Sequence, residues 1–358
     1  MKKVTVAILY GGRSVEHGVS VNSARNIAEY IDRSRYTPIP IGITQQGVWY
    51  LTKEVTRSIR SGKRLTVNLD PQHPWLFDGR KKIKFDIVFP VLHGTDGEDG
   101  SIQGFLKSLS IPIVGTGVLG SALSMNKIVS KRLLREAGLP VTDFIPLHIH
   151  DAQKPTFEEV GKKLGVPFMV KAASLGSSVG VTKVKAKADF AKAVKEAFKY
   201  DTELLYERYV SGREIECAIL GNDPPKASLP GEIIISKKYD FYTFDAKYVD
   251  STAVSIEVPA KLKSEEAEKI RELSVRAFQV LKCEDYARVD LFLTQDGEVF
   301  VNEINTIPGF TNSSMYPMMW RDRGISFADL ISRLIGLAQK RHQASLRIER
   351  QFNSSLNY

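Results

Sequence analysis

The amino-acid sequence predicts an α/β domain with a doubly wound parallel sheet, followed by a region of α+β type. Three observations lead to this fold class. In the first third of the chain, short apolar stretches alternate with segments of helical spacing, which is typical of parallel sheets. From about Pro140 onward, short strand-like segments follow one another closely. Near the end, Asp296-Gly297 separates two alternating segments, which is a strong hairpin signal.

The elements of the first third are predicted from the period of their apolar residues. Short buried strands are expected at residues 4–9, 37–43 and 86–91, and helices at residues 19–31, 101–109 and 121–137. Gly138 and Pro140 commonly follow the end of a helix, so they place the end of the third one.

The second part of the chain is predicted to combine short, mostly antiparallel strands with a few helices. Strands are expected at residues 168–171, 181–184, 203–207 and 214–220, a helix at residues 189–198, and a last helix near residues 327–339. Residues 236–259 show no clear period, so we expect a functional loop there. A helix over residues 264–282 would have Ser264 as its N-cap, with Glu265 and Glu266 in the first turn.

The composition is that of a globular protein with sizeable cores. The chain has 358 residues, enough for two or three lobes, and is 43% hydrophobic and 25% charged. Cys217 and Cys283 match neither a disulfide framework nor zinc-ligand spacing. Two isolated cysteines fit a reducing cytoplasm.

The net charge of +9 does not by itself indicate a nucleic-acid partner, because lysine and arginine are spread along the chain without a zinc-finger or RNP motif. Lys2 and Lys3 precede an apolar run that resembles a signal peptide only superficially, since no small-residue cleavage pattern follows. No stretch approaches the length of about 18 apolar residues that a membrane span needs, so no membrane partner is expected.

The hairpin predicted near the end of the chain brings two carboxylates together. With a two-residue turn at 296–297, Asp290 lies opposite Glu303, and Arg288 lies opposite Asn305. The period of two places all four side chains on one face of the hairpin. The other face is predicted to be core and carries Val289, Leu291, Leu293, Phe300 and Ile304.

Two carboxylates opposed at about 5 Å repel each other by roughly 3 kcal/mol at an effective dielectric constant near 20. A divalent cation would reverse that sign, and the oxygen atoms of Asp290, Glu303 and Asn305 suit magnesium. The alternative is an exposed sheet face on which Arg288 neutralises one carboxylate. The geometry favours the metal site, because like-charge cross-strand pairs need compensation.

The segment Gly176-Ser177-Ser178-Val179-Gly180 follows the strand that ends at Lys171. Consecutive small residues let backbone N–H groups close on a phosphate, and Lys171 could meet its charge. The alternative is a plain flexible hairpin loop. The chain contains no GxxxxGK[ST] motif, which excludes the ordinary P-loop.

Two further motifs follow strands of the first third. Residues 115–120 match GxGxxG, but the first strand carries no such motif, so a tight structural turn is favoured over a dinucleotide site. Residues 93–100 are rich in acidic side chains at the sheet edge where α/β proteins place ligands, yet they could instead cap the helix near Ser101. Glu16 and His17 reach the same edge.

Together these features resemble the D-alanine–D-alanine ligase family of ATP-grasp enzymes. The resemblance runs from Val4 to about Lys340 and is carried by four motifs that occur in the family's order. The first is Gly11-Gly12 with Ser14, Glu16, His17 and Ser20, and the second and third are residues 93–100 and 176–180. The fourth is Arg288-x-Asp290 to Glu303-x-Asn305-x-x-Pro308-Gly309. It implies an N-terminal α/β domain (residues 1–124) followed by a two-lobed ATP-grasp fold. The implied central lobe is 125–213, the C-terminal lobe 214–345, and residues 346–358 form a flexible tail.

The resemblance also implies which residues hold ATP and metal. Lys127, Lys171 and Lys247 would hold the phosphates, and Ser177 and Ser178 lie on the loop that covers them. The other implied ATP contacts are Glu207, Arg208, Tyr209 and Val210 at the adenine hinge, Glu214 at the ribose, and Asn302 and Glu303. The implied ligands of Mg²⁺ or Mn²⁺, typically two ions with ATP, are Asp290, Glu303 and Asn305.

The implied substrate site joins residues from distant parts of the chain. Glu16 would hold the ammonium of a first D-alanine, and His93 would be a further contact of the same substrate. Arg288 with the Gly309 N–H would stabilise a tetrahedral oxyanion. The second subsite would be lined by Ser313, Ser314 and Met315, with Ser314 on the substrate carboxylate. Residues 245–248 resemble the mobile loop that closes the site, with Lys247 directed toward phosphate and Tyr248 toward Ser177 and Glu16.

The implied reaction is ATP-dependent ligation of two D-alanines through a D-alanyl phosphate, for peptidoglycan precursor synthesis. D-Alanine–D-lactate or D-alanine–D-serine ligation is the alternative, and Tyr248 argues against D-lactate, since D-lactate-selective relatives tend to lack that tyrosine. More remote alternatives are a dinucleotide-dependent oxidoreductase using residues 115–120 and a nucleotide-binding regulator without turnover. The resemblance implies a homodimer whose partners are ATP and D-alanine.

Overall fold

The computed structural model describes residues 2–72, 76–79, 81–236 and 254–349. These residues form three β-sheets, each covered by helices. None of the described helices is both long and apolar enough to span a bilayer.

The first sheet has seven strands in the order β6-β5-β4-β3-β2-β1-β7. Its strands are β1 Val4–Gly11, β2 Tyr36–Ile43, β3 Trp49–Leu51, β4 Lys63–Val67, β5 Leu76–Asp78, β6 Lys81–Ile83 and β7 Ile87–Pro90. The predicted parallel pairing is confirmed for β2, β1 and β7. Strands β3 to β6 extend this parallel part as antiparallel strands, which were not predicted from the sequence.

Helices α1 (His17–Tyr30) and α2 (Ser101–Ser108) lie on opposite faces of this sheet. Alternate residues of β1 explain the two faces: Val6 and Ile8 share a core cluster with α1, whereas Ala7 and Leu9 share one with α2. The doubly wound arrangement is therefore confirmed. The carboxyl ends of β1 and β7 lead into the segments that carry Glu16 and His93.

The helix predicted at residues 121–137 is two helices, α3 (Val118–Met125) and α4 (Lys127–Glu136). Asn126 separates them as the N-cap of α4, because its side chain accepts hydrogen bonds from the backbone N–H groups of Ile128 and Val129. The break fixes Lys127 at the first helical position.

The second sheet has the order β10-β9-β11-β8 and is antiparallel throughout, as predicted. Its strands are β8 Phe144–His148, β9 Phe168–Ala172, β10 Val181–Val184 and β11 Glu203–Arg208, and its helices are α5 Phe157–Leu164 and α6 Lys187–Ala197. One face packs on both helices through a core that includes Phe168 and Tyr206. Lys171 and Glu207 extend from the other face.

The third sheet has the order β15-β14-β12-β16-β17, with β13 paired to β12. Its strands are β12 Gly212–Leu220, β13 Lys226–Ala227, β14 Gly231–Ile235, β15 Val254–Glu257, β16 Tyr286–Thr294 and β17 Val299–Asn305. The strand predicted at 214–220 therefore belongs here and not with the central strands. The functional loop predicted at 236–259 is corrected at its end, where strand β15 pairs with β14. Residues 237–253 lie outside the described residues.

Three helices complete the C-terminal part: α7 Ser264–Val280, α8 Met315–Asp322 and α9 Phe327–Ser345. The predicted N-cap Ser264 is wrong by one residue, since Lys263 is the cap and its N–H donates to Glu266. Helix α7 packs on the third sheet. Helices α8 and α9 share a core cluster with β1 and α1, so the end of the chain packs against its beginning. Most of the predicted tail, residues 350–358, lies outside the described residues.

Candidate active site

The hairpin β16–β17 has the predicted register at its functional end but a different turn. Arg288 lies opposite Asn305 and Asp290 opposite Glu303, as predicted. The predicted two-residue turn is wrong, because Leu293 pairs with Val299 and the loop contains three residues, 295–297, with Gly297 at φ +77°. A bulge between Val301 and Glu303 absorbs the difference of one residue.

The bulge moves two side chains relative to the prediction. Asn302 is the extra residue and turns toward the same cleft as Glu303. Phe300 is half-buried and not a core residue, and its ring lies 5.1 Å from the Arg208 guanidinium. The buried face of β17 therefore consists of Val299, Val301 and Ile304.

The carboxylates of the hairpin are compensated by neighbouring cations. Arg288 donates two hydrogen bonds of 2.7 Å to Asp290, and Asn305 donates a third of 3.0 Å. Glu303 lies 3.2 Å from the Lys127 ammonium. This is the neutralised face that the structural alternative requires, so the expected repulsion between Asp290 and Glu303 is offset even without a cation.

The oxygen atoms at this end of the hairpin are also of the type that binds divalent cations. Asp290 and Glu303 both line the cleft described below, and Asn305 adjoins them, so hard oxygen atoms converge at one edge. Asp290 already accepts three hydrogen bonds, so a metal ion would share its carboxylate with Arg288 and Asn305. No group of three or more His, Cys, Asp or Glu side chains forms a metal cage within the described ranges, and the set here is two carboxylates and one amide.

A single cleft between the second and third sheets collects most of the predicted ATP contacts. From the predicted set its lining contains Lys127, Lys171, Ser177, Ser178, Glu207, Arg208, Tyr209, Val210, Glu214, Asp290, Asn302 and Glu303. Apolar side chains, including Met169 and Phe292, line the same cleft. A pocket with apolar walls and a few convergent charged groups is the usual form of a nucleotide or cofactor site.

A buried charge network lies behind the phosphate-facing lysines. Glu207 accepts contacts from Lys131 (2.5 Å), Lys171 and the Thr142 hydroxyl, and Lys131 donates to Thr142 at 2.9 Å. Burial works to raise the pKa of Glu207, but the two lysines outweigh it and hold that pKa well below its usual range. Burial likewise works to lower the pKa of Lys171, but Glu207 outweighs it and the pKa is raised.

Lys131 was not identified from the sequence. Its signal was present, because Lys131 lies four residues after Lys127 on α4 and therefore on the same helix face. Burial lowers its pKa. The side chain is 1% exposed, so its charge depends on the contact with Glu207.

Replacing Lys131 with methionine is expected to destabilise the folded protein by about 3–5 kcal/mol, because Glu207 would keep only one buried counter-charge. Urea denaturation monitored by circular dichroism measures the change. The matched control is Lys187→Met, which breaks an exposed pair with Glu158 and should leave the denaturation midpoint nearly unchanged. Equal midpoints for the two variants would contradict a structural role of Lys131.

The loop of small residues lies between β9 and β10 and reaches the N-terminal domain. Ser177 and Ser178 have φ values of 55° and 59°, a left-handed conformation that is costly for residues other than glycine. The Ser177 hydroxyl donates a hydrogen bond to the Glu16 carboxylate. This contact brings the predicted phosphate loop and the predicted substrate residue Glu16 together.

Glu16 is a buried carboxylate at the start of α1. The backbone of Gly94 passes so close that a Cβ there would lie 2.6 Å from a Glu16 oxygen, and its φ of +77° also favours glycine. The acidic loop 93–100 does cap the following helix, since Asp99 accepts a hydrogen bond of 2.9 Å from the Ser101 N–H. The capping interpretation of that loop is confirmed.

Two other residues of this loop contact Ile307, in the segment that follows β17. Both His93 ring nitrogens are engaged, Nδ1 with the Ile307 carbonyl at 2.8 Å and Nε2 with the Ser23 hydroxyl at 3.0 Å, and burial lowers the His93 pKa. Glu98 accepts hydrogen bonds from the N–H groups of Gly94 and Ile307. Burial, with the charge of Glu16, raises the pKa of Glu98 to about 8. Ser23 carries no signal in the sequence, and Glu98 is only one of several acidic residues in the loop 93–100.

The residues predicted for a second subsite surround the start of α8. Ser314 lies 2.8 Å from the Thr311 hydroxyl and accepts a hydrogen bond from the Thr311 N–H, and Ser313 lies 3.2 Å from the same hydroxyl. Gly309 approaches Ser314 closely, because a Cβ on it would lie 3.1 Å from the Ser314 hydroxyl oxygen. Met315 is buried in the core cluster shared with α1. Lys247 and Tyr248 lie outside the described residues.

The GxGxxG segment is a structural turn, as favoured from the sequence. The Gly115 N–H donates to Asp285 at 2.9 Å, and the Gly117 N–H donates to Glu284 at 3.1 Å. Arg341 binds both acidic residues and the Gly115 carbonyl. Because protein carboxylates take the N–H groups that a pyrophosphate would need, this turn does not support dinucleotide binding.

Two family models match the chain. The model described as D-ala D-ala ligase N-terminus matches residues 5–116, and the model described as D-ala D-ala ligase C-terminus matches residues 133–336. The D-alanine–D-alanine ligase A of Escherichia coli K12 is 45% identical, with 96% of this chain and 98% of the relative covered. The D-alanine–D-alanine ligase of Oceanobacillus iheyensis is 43% identical, with 98% of each chain covered.

Solved structures show the same likeness. The structure of the D-alanine–D-alanine ligase from Coxiella burnetii has a TM-score of 0.87, is 39% identical and covers 97% of each chain. The VanG D-Ala:D-Ser ligase from Enterococcus faecalis has a TM-score of 0.85, is 34% identical, and covers 94% of this chain and 100% of that one. The shared architecture therefore extends over all three sheets.

Proposed function

The chain belongs to the D-alanine–D-alanine ligase family, and on that premise we propose that it uses ATP to join two D-alanines into D-alanyl-D-alanine for peptidoglycan precursor synthesis. The observation that carries the proposal is the cleft in which two lysines, the small-residue loop and the acidic hairpin meet. These are the groups that a phosphoryl transfer from ATP requires. The residues come from separate stretches of sequence, so their convergence supports one shared site.

The reaction needs two steps, because a carboxylate is a poor electrophile. A carboxylate oxygen of the first D-alanine attacks the γ-phosphorus of ATP, which gives D-alanyl phosphate and ADP. Lys127 and Lys171 line the cleft where negative charge develops in this step. The amine of the second D-alanine then attacks the acyl carbon, loses a proton, and inorganic phosphate leaves as the C–O bond breaks.

The first D-alanine is assigned to the junction of Glu16 with Arg288 and Gly309. Glu16 is buried, so an ammonium group placed against its carboxylate would form a charge-assisted hydrogen bond out of water. Arg288 and the Gly309 N–H would stabilise the oxyanion that forms when the amine attacks. Ser313 and Ser314 are assigned to the second D-alanine, with Ser314 on its carboxylate, and Met315 supports them from the core.

Asp290, Glu303 and Asn305 would hold Mg²⁺ or Mn²⁺, typically two ions with ATP. Such ions would supply positive charge that offsets the negative charge of the phosphates during phosphoryl transfer. Glu303 and Asn302 line the nucleotide cleft directly, and Lys127 lies beside Glu303. The adenine and ribose are assigned to the hinge of residues 207–210 and to Glu214.

We expect ADP release from ATP only when D-alanine is supplied, and none with L-alanine. Glu16 is assigned to the ammonium of the first substrate, and Arg288 with Gly309 to its carboxyl group, so an L-enantiomer held by the same groups would exchange the positions of its methyl group and its hydrogen. A coupled assay of ADP formation with ATP and Mg²⁺ measures this. Equal turnover with L-alanine would contradict the proposed function.

D-Serine is the second candidate for the acceptor subsite, because the VanG D-Ala:D-Ser ligase shares the architecture at 34% identity. The same assay with D-alanine plus D-serine or D-lactate, followed by product analysis, separates the candidates. Our proposal predicts D-alanyl-D-alanine as the main product in both mixtures. A mixed product as the main one would assign the chain to the alternative activity.

We further propose that the protein is cytoplasmic and forms a homodimer. Each chain would divide into three parts, residues 1–124, 125–213 and 214–345, with a tail at 346–358. Light scattering of the full chain measures the oligomeric state, and limited proteolysis with sequencing of the fragments measures the boundaries.

A further inference from the structure

The segment that follows β17, residues 307–310, is held by side chains of the N-terminal domain. Glu98 accepts a hydrogen bond of 3.0 Å from the Ile307 N–H, and His93 Nδ1 lies 2.8 Å from the Ile307 carbonyl oxygen. The Ser23 hydroxyl accepts a hydrogen bond of 3.3 Å from the Phe310 N–H. Both peptide groups of Ile307 are therefore fixed by residues more than 200 positions earlier in the chain.

The three side chains form one connected unit. Ser23 also contacts His93 Nε2 at 3.0 Å, so the histidine joins α1 to the acidic loop and to the segment 307–310. Ser23 and His93 are buried. Hydrogen bonds between buried groups of this kind restrict the backbone more tightly than exposed ones, because water cannot replace them.

Gly309 lies between the two fixed points. Pro308 has no N–H, and within the part of the chain that the structure describes, no protein acceptor is bonded to the Gly309 N–H. The N–H groups on either side, those of Ile307 and Phe310, are both held. Among the described residues the Gly309 N–H is thus left without a protein acceptor, and the hydrogen bonds on either side fix the backbone that orients it.

We propose that Ser23 and Glu98, together with His93, are positioning residues that hold the Gly309 N–H in place for the tetrahedral oxyanion. The inference rests on the proposed function and adds residues to it. It also assigns His93 a different task from direct substrate contact, since both of its ring nitrogens are used inside the protein. An oxyanion donor acts when the amine attacks the acyl phosphate, so the dipeptide-forming step depends on this set more than the phosphoryl transfer does.

The test separates the two steps in a single turnover of the full-length enzyme. Enzyme in excess over ATP is mixed with saturating D-alanine and Mg²⁺, quenched in acid, and analysed for ADP and dipeptide over time. In Ser23→Ala we expect ADP to form at the wild-type rate while dipeptide formation slows about tenfold, which corresponds to loss of one positioned hydrogen bond. We call this delay of dipeptide formation behind ADP formation a lag. Glu98→Gln should show the same lag, because an amide has one acceptor oxygen and cannot accept hydrogen bonds from the N–H groups of both Gly94 and Ile307.

Ser274→Ala is the matched control. Ser274 is as buried as Ser23, but its hydroxyl donates to the Ile270 carbonyl within α7 and not to the segment 307–310. It should show no lag between ADP and dipeptide. The difference between its melting temperature and that of the wild type shows how much the loss of a buried hydroxyl alone destabilises the protein.

A lag in Ser23→Ala or Glu98→Gln, without one in Ser274→Ala, supports the positioning role. If either variant fails to fold, the other gives the same comparison. Parallel slowing of ADP and dipeptide formation, or no slowing of either, would overturn it. A wild-type enzyme that forms no dipeptide would instead contradict the proposed function, so the two failures are distinguishable.

Discussion

Replacing Glu303 with glutamine is expected to lower the rate of dipeptide synthesis by about 100-fold or more. Glu303 lines the nucleotide cleft and is assigned to the divalent cation, and loss of an anionic ligand weakens transition-state charge stabilisation by several kcal/mol. The stability of the nucleotide-free protein should change little. Asp290 is already paired with Arg288, so the substitution relieves little repulsion, and it weakens the contact with Lys127.

The measurement combines steady-state kinetics with thermal melts in the presence and absence of magnesium-ATP. Glu298→Gln, on the same hairpin but exposed beside its turn, is the matched control and should retain activity. Wild-type protein should gain stability from magnesium-ATP, and Glu303→Gln should gain much less. Preserved activity with a clear drop in the nucleotide-free melting temperature would mean that this face is structural and the metal lies elsewhere.

Replacing Glu16 with glutamine is expected to reduce kcat/KM for D-alanine by about 10- to 150-fold, with ATP affinity unchanged. A neutral amide loses the charge-assisted hydrogen bond to the substrate ammonium, which contributes about 1.5–3 kcal/mol. The amide oxygen can still accept the hydrogen bond from Ser177, so the small-residue loop should keep its position.

Kinetics with varied D-alanine and calorimetric titration with ATP measure the two quantities separately. Glu29→Gln, an exposed substitution on the same helix, controls for the change in net charge. A fall in nucleotide affinity with unchanged D-alanine kinetics would place Glu16 in the nucleotide site instead.

The hairpin shows what periodicity can and cannot predict. The opposition of Asp290 and Glu303 was predicted correctly although the turn was wrong, because the three-residue loop and the bulge at Asn302 shift the register in compensating ways. A bulge leaves no mark in the alternation until the strand is paired. For that reason the position of Phe300 was wrong while that of Glu303 was right.

The strength of the local sequence pattern also determined which helices and strands could be predicted. The alternation of β1, α1 and β7 was strong enough to predict the doubly wound part of the first sheet. Strands β3, β5 and β6 have three residues each, too few to show a period, so their antiparallel extension of the sheet was missed. The break at Asn126 was missed because apolar spacing continues across it.

The parts of the site that could not be predicted are those that depend on contacts between distant segments. Lys131 and Glu207 lie 76 positions apart, and only the folded chain shows that each is the other's counter-charge. Ser23 is one of two serines on α1, and its contact with Phe310 requires the beginning and the end of the chain to meet. Residue types indicate chemistry, whereas such partnerships follow from tertiary packing.

The central claim is that this chain couples ATP cleavage to the formation of one dipeptide bond. The most direct measurement incubates the wild-type protein with ATP, Mg²⁺ and D-alanine and quantifies ADP and D-alanyl-D-alanine in the same samples by mass spectrometry. The two products should appear in a one-to-one ratio, and neither should appear when D-alanine is omitted. ADP formation without dipeptide, or ADP formation that does not depend on D-alanine, would contradict the claim.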